Sequence, residues 1–257
     1  MFFPIWIGKD HYSEMSVRDR NVVFLVKGTS DPAYDRKHRP EHYVADIKAF
    51  AQSGKADAQA QLGHIYIFGD YNQKQNYQEG FKWYNESAKQ GNKYGLNGTG
   101  ICYDMGLGTE KDYKKAAEYY TKAAAKGLHR ANALLGSLYE KGGYGLEKDQ
   151  RLAFEFFKKS ADKGDAFGML RLGMCYKEGK AVKADSRKAF EWFLKSAKKD
   201  NDFAQYFTGM AYLNGEGTEK NPQAAYHWLK KAEKANNTYA HEAIDQYFWA
   251  DGSLKEF

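Results

Sequence analysis

The chain has 257 residues, 42% apolar and 28% charged, a balance near the globular average that excludes wholesale disorder. Only four prolines suit a chain that is mostly helix, and 20 Tyr, 16 Phe and 5 Trp supply ample core material. The formal charge of +6 would suit a nucleic-acid binder if it were concentrated. Its lysine pairs instead recur with a helical unit: Lys114–Lys115, Lys158–Lys159, Lys198–Lys199 and Lys230–Lys231. Several fall near helix C-termini, where cations favour the macrodipole, so nucleic acid is not an expected partner. No stretch approaches the ~18 apolar residues of a membrane span. Met1–Ile7 is apolar but short, with no basic lead, and does not read as a secretory signal, so the cytoplasm is the expected compartment.

In chain order, residues 1–44 read as an N-terminal cap or arm. Phe2–Ile7 and Asn21–Lys27 are β-type runs that could pair as a small hairpin, and Gly28–Pro32 and His38–Pro40 read as turn and loop. A cover for the exposed apolar end of a repeat array is the expected role. A partner-binding arm is the alternative, which Phe2, Phe3, Trp6 and Phe24 would serve. A half repeat follows at 45–57, with Asp46–Ala58 reading as a lone second helix.

The repeats dominate from there. Gly63, Gly100, Gly136, Gly173 and Gly209 are separated by 37, 36, 37 and 36 residues. Three residues after each stands Tyr66, Tyr103, Tyr139, Tyr176 or Tyr212; six after each stands Gly69, Gly106, Gly142, Gly179 or Gly215. Next comes an N-cap residue type, Asn76, Asp112, Asp149, Asp185 or Asn221, the last followed by Pro222 at the first helical position. Aromatic pairs follow: Trp83–Tyr84, Tyr119–Tyr120, Phe156–Phe157 and Trp192–Phe193, with Trp228–Leu229 the near match. Gly91, Gly127 and Gly164 then stop the helix in the left-handed conformation, with Asp200 and Asn236 in the equivalent places.

Each repeat therefore reads as helix A, a turn, helix B and a second stop, with boundaries near 58–94, 95–130, 131–167, 168–203 and 204–239, and a C-terminal capping helix at 240–250. In the second repeat, helix A is expected over Tyr94–Met105 and helix B over Tyr113–Lys126. The step between 36 and 37 is a one-residue change in the A–B loop, which loops tolerate. One helical pair cannot bury its apolar face alone, so neighbours must stack.

This pattern resembles Sel-1-like repeats, relatives of the tetratricopeptide repeat. Ala131–Gly142 reads ANALLGSLYEKG, Ala189–Ala197 reads AFEWFLKSA, and the second repeat reads ICYDMGLGTEKDYKKAAEYYTKAAAKG. The resemblance implies an all-α, right-handed α/α superhelix of about five repeats whose concave side receives protein partners. Departures fall at Asp70–Asn72 and Lys180–Val182, where a second loop glycine is usual, and at Thr99 and Thr208, where Leu is usual. Some secreted family members staple each repeat with two cysteines; this chain lacks that pattern, in keeping with a reducing compartment.

Chemistry-bearing motifs are sparse. His38-Arg-Pro-Glu-His42 formally matches an inverted metalloprotease pattern, but Pro40 argues against the helix it needs. Cys102 and Cys175 share one repeat phase with Ile65, Leu138 and Ala211, and read as core residues. Gly106–Gly108 and Gly215–Gly217 recur as interhelical turns, not as a phosphate cradle. No nucleophile–base constellation is found, so no enzyme activity, cofactor, metal or small-molecule substrate is expected. The expected partner is another protein, bound on the concave helix A face through His64, Ile67, Asp104, Glu140, Arg171, Met174, Lys177, Phe207 and Met210. The chain then acts as an interaction scaffold or adaptor, or as an immunity protein that neutralises a bacterial toxin or effector enzyme.

Overall fold

The computed structural model describes residues 40–255, which form twelve α-helices and no β-strand. These are α1 (Pro40–Gln52), α2 (Ala56–Phe68), α3 (Tyr77–Lys89), α4 (Lys93–Met105), α5 (Tyr113–Ala125) and α6 (Arg130–Lys141). They continue as α7 (Gln150–Asp162), α8 (Ala166–Glu178), α9 (Ser186–Ala197), α10 (Asp202–Asn214), α11 (Pro222–Lys234) and α12 (Thr238–Tyr247). The fold is an all-α repeat solenoid, with even-numbered α2 to α10 as the A helices and α3 to α11 as the B helices. The expected N-terminal hairpin, and His38, lie outside the described residues.

Local signals place the boundaries. Side chains of Asn76, Asp112, Asp149, Asp185 and Asn221 accept the N–H of Glu79, Lys115, Leu152, Lys188 and Ala224, so all five expected caps act as caps. In the same five residues the backbone N–H donates to the carbonyl of the repeat tyrosine (Tyr66, Tyr103, Tyr139, Tyr176, Tyr212) at 2.8–2.9 Å. That bond closes the A–B loop, whether the repeat has 36 or 37 residues. The stops behave as read: Gly127 and Gly164 have φ of 85°, and Asp200 and Asn236 reach 59° and 63°.

Two boundaries shift. The lone helix expected over Asp46–Ala58 runs from Pro40 to Gln52, because Gly54, at φ +88°, ends it as the other B helices are ended. Pro40 opens this helix, where a missing N–H leaves nothing unsatisfied. The last helix, expected over 240–250, spans Thr238–Tyr247 and is capped by Asn237.

The chain divides into two compact units, one reaching Cys102 and including Leu107–Glu110, the other comprising Tyr103–Gly106 and residues from Lys111 onward. In the first, α1 packs on α2 and α2 on α3 around Val44, Ile47, Leu62 and Ile65. In the second, each helix from α5 to α11 packs on its successor, and α6 also meets α8. The α7 stripe of Ala153, Phe154, Phe157, Ser160 and Ala161 shows why: apolar or small residues return every three to four positions and face inward. Burying a ring such as Phe157 or Phe193 contributes about 1.5–3 kcal/mol.

The A and B helices approach closely because the repeat glycines stand between them. A Cβ on Gly136 would lie 2.8 Å from Phe157 Cδ1, and one on Gly173 would lie 2.7 Å from Phe193 Cδ1. A second tie escaped the sequence reading. The buried hydroxyls of Ser87, Ser160 and Ser196 donate to the carbonyls of Ala56, His129 and Ala166 at 2.6, 3.0 and 2.7 Å, joining α3, α7 and α9 to the start of their own A helices.

Candidate protein-binding face

The nine residues expected to meet a partner separate into two kinds. His64 and Ile67 on α2 are covered within the first unit. His64 keeps Nε2 3.1 Å from the Asp70 carboxylate and its ring 4.5 Å from Phe68, while Ile67 fills the space beside Gly80. Both are buried there, His64 beside its own helix and the loop after it, Ile67 where α3 approaches at Gly80.

The other seven belong to the second unit, and most of them are linked. Asp104, at the end of α4, is itself buried; its carboxylate accepts from Tyr120 at 3.4 Å and lies 3.5 Å from Lys141 Nζ. Burial pushes its carboxyl above the usual range, and Lys141 and Tyr120 act against that shift. Glu140 on α6 is paired with Arg171 on α8, and Lys180 Nζ approaches it at 3.2 Å. Burial opposes charge on Lys180, but Glu178 and Glu140 outweigh it and raise its pKa. The Arg171 guanidinium also lies 5.0 Å over the Phe157 ring, with Nη1 3.8 Å from Met174 Sδ. Further along, Lys177 Nζ sits 5.2 Å over Phe207 and 3.8 Å from Glu216, and Phe207 stacks on Phe193 at 5.0 Å. Met174, Phe207 and Met210 are half-buried, so each keeps apolar surface in water.

Glu140, Arg171, Met174, Lys177 and Phe207 thus form a continuous ladder over α6, α8 and α10, with charged groups resting on ring faces and the Met174 thioether beside Arg171. Such a strip presents both signs of charge and polarisable apolar surface, the composition of an interface core with its rim. Sequence reasoning missed Lys180, which closes the ladder on Glu140. Its signal was the departure at Lys180–Val182, where a loop glycine is usual. It also missed Lys141 and Glu216, which follow from packing between repeats.

The thiols do not contribute. Cys102 packs with Ala60, Ile67 and Tyr84, and Cys175 with Ala133, Phe157 and Leu172; burial pushes each pKa up to about 12. Among the described residues, no group of three or more His, Cys, Asp and Glu is placed to hold a metal ion, and no helix is long and apolar enough to cross a membrane.

The Sel1 repeat profile matches residues 56–92, 93–128, 129–165, 166–201 and 202–237. Protein sel-1 homolog 2 of Rattus norvegicus is 36% identical over 132 residues, covering 51% of this chain and 19% of that protein. The chain thus spans about a fifth of the length of that relative. A Sel1 repeat protein from Oxalobacter formigenes superposes with a TM-score of 0.68 at 27% identity, covering 79% of this chain and 58% of that one. An immunity protein from Pseudomonas aeruginosa shares the fold with a TM-score of 0.51 at 19% identity, covering 87% of this chain and 79% of that one. With five consecutive repeats matched over most of its length, the chain belongs to the Sel1 repeat family.

Proposed function

We propose that the chain is a non-enzymatic interaction scaffold that holds another protein on the helix A face of its second unit. The observation that carries this reading is the ladder from Glu140 through Arg171 to Lys177 and Phe207. Charges there are already oriented by one another and by ring faces, so a partner meets an ordered surface and little side-chain entropy is lost on binding. His64 and Ile67, being covered, are left out of the proposed face. The cytoplasm suits a chain with two buried, unbridged cysteines.

A second reading makes the captured protein a toxin or effector enzyme that the chain neutralises; the P. aeruginosa immunity protein is built on the same fold. One experiment separates the readings. The tagged chain and an Arg171→Glu/Lys177→Glu/Phe207→Ala variant are used to recover proteins from the native host, compared by quantitative mass spectrometry. A scaffold recovers partners that the variant loses. A neutraliser recovers one enzyme, inhibits it in a stoichiometric mixture, and rescues cells that express it. Equal recovery by chain and variant would remove the helix A face from the account.

A further inference from the structure

The A–B loop of the third repeat departs from its neighbours. Gly142, Gly143, Tyr144 and Gly145 follow one another with φ of 67°, 94°, 48° and 83°. The three glycines adopt this left-handed region at no steric cost, but Tyr144 carries a Cβ there. Its surroundings hold it in place. Gly143 and Leu146 exchange two backbone hydrogen bonds of 2.8 and 3.0 Å, and the Tyr113 N–H donates to the Tyr144 carbonyl at 3.1 Å. The Tyr144 ring lies 4.9 Å from the Tyr113 ring, with Lys111 Nζ 5.2 Å over it. Nevertheless Tyr144 is 59% exposed.

The first repeat shows what packing alone would require. Tyr71 stands eight residues after its repeat glycine, as Tyr144 does, also with positive φ (56°), and rests on Tyr43 at 5.0 Å. But Tyr71 is half-buried in the cluster of Tyr43, Val44 and Ile47. Packing between helices accounts for Tyr71 and leaves most of the Tyr144 ring in water. A rigid aromatic on a strained backbone, with its outer surface wet, has its ordering cost met before any partner arrives.

Cations stand close to the ring, although Glu147 shares its loop and Asp104 pairs with Lys141. Lys111 lies over the ring, the Lys114 side chain flanks Gly145, and Lys141 Nζ is 5.7 Å over Tyr113. Behind them, the B segments of the second unit (112–126, 149–163, 185–199, 221–234) carry sixteen Lys and Arg against eight Asp and Glu. Charge is thus segregated onto the B helices. We infer that Tyr144, with Lys111 and Lys114, forms a second interaction surface that takes an acidic segment of a protein partner. The ring receives an apolar side chain, and the lysines receive its flanking carboxylates. A phosphate backbone fits less well, because Glu147 in the loop and Glu118, Glu155 and Glu191, each one residue before a B-helix aromatic, interrupt the cations. This surface is separate from the helix A face and does not depend on it.

The test selects random phage-displayed peptides on the full chain, with counter-selection on Tyr144→Ala and, separately, on Lys111→Glu/Lys114→Glu. The second variant changes only exposed side chains and keeps the test valid if the loop of the first rearranges. Clones lost on both variants should be rich in Asp and Glu around an apolar residue and bind the parent about tenfold or more tightly. They should also survive on Tyr144→Phe and on the Arg171→Glu/Lys177→Glu/Phe207→Ala variant, so the two surfaces stand or fall separately. The inference is overturned by an empty selection, by basic or neutral clones, or by clones indifferent to the variants. Tighter binding of single-stranded poly-U, abolished by the same variants, would overturn it in favour of a nucleic-acid site.

Discussion

Gly136 on α6 faces Phe157 on α7 so closely that a β-carbon would meet two ring carbons at 2.8 Å and the Ala153 carbonyl oxygen at 2.9 Å. The ring is fully buried and the carbonyl is backbone, so neither yields cheaply. Replacing a helical Gly by Ala gains about 1 kcal/mol in propensity, while overpacking a core costs about 1–3 kcal/mol. Gly136→Ala should therefore lose stability on balance, read from the urea midpoint. A variant as stable as the parent would show that the two helices have room to spare.

The buried Ser196 hydroxyl on α9 donates to the Ala166 carbonyl at the start of α8 at 2.7 Å. Ser196→Ala leaves that acceptor without its donor and should cost about 1 kcal/mol by urea unfolding. No loss, or a gain, would mean the carbonyl is satisfied without the serine.

Asp104 sets a pH dependence. Burial raises its carboxyl above the usual 3.8, so the folded chain holds this proton more tightly than the unfolded chain. Its contribution is complete below the unfolded pKa and is lost as pH rises through the folded value. Asp104→Asn removes that titration. Relative to the parent, the variant should gain stability as pH rises above the ordinary carboxylate value of 3.8, measured by denaturant midpoints at each pH. A growing deficit instead would show that the Lys141 pair outweighs burial.

Both thiols should resist modification. With pKa values near 12, Cys102 and Cys175 hold only about one part in 10⁴ as thiolate at pH 8, and both are buried besides. Iodoacetamide should label neither in the native chain and both in denaturant, read by intact mass. Prompt native labelling would place a thiol at the surface.

Repeat phase placed the candidate residues on their own helices, and the structure decides their surroundings. Glu140, Arg171, Met174, Lys177 and Phe207 lie along one strip, whereas His64 is buried beside Phe68 and Asp70, and Ile67 where α3 passes at Gly80. Spacing from the repeat glycine tells where a side chain points on its own helix. It does not tell whether the neighbouring helix reaches that far, as α3 does over Ile67 because Gly80 lets it approach. The Ser87, Ser160 and Ser196 ties were hidden for a related reason, since a serine among alanines reads as one more small residue.

What the sequence by itself determined is the periodic skeleton: five helix pairs, their asparagine and aspartate caps, and their left-handed stops. Those signals act through the backbone within about four residues, so order along the chain is enough to read them. Only the tertiary structure decided which side chains meet water. Glu140 finds Arg171 and Lys180 from a neighbouring repeat, and Tyr144 stays exposed where Tyr71, at the same phase, is packed away. Burial belongs to a residue's neighbours in space, and in a stack of repeats those neighbours are supplied about thirty residues away along the chain.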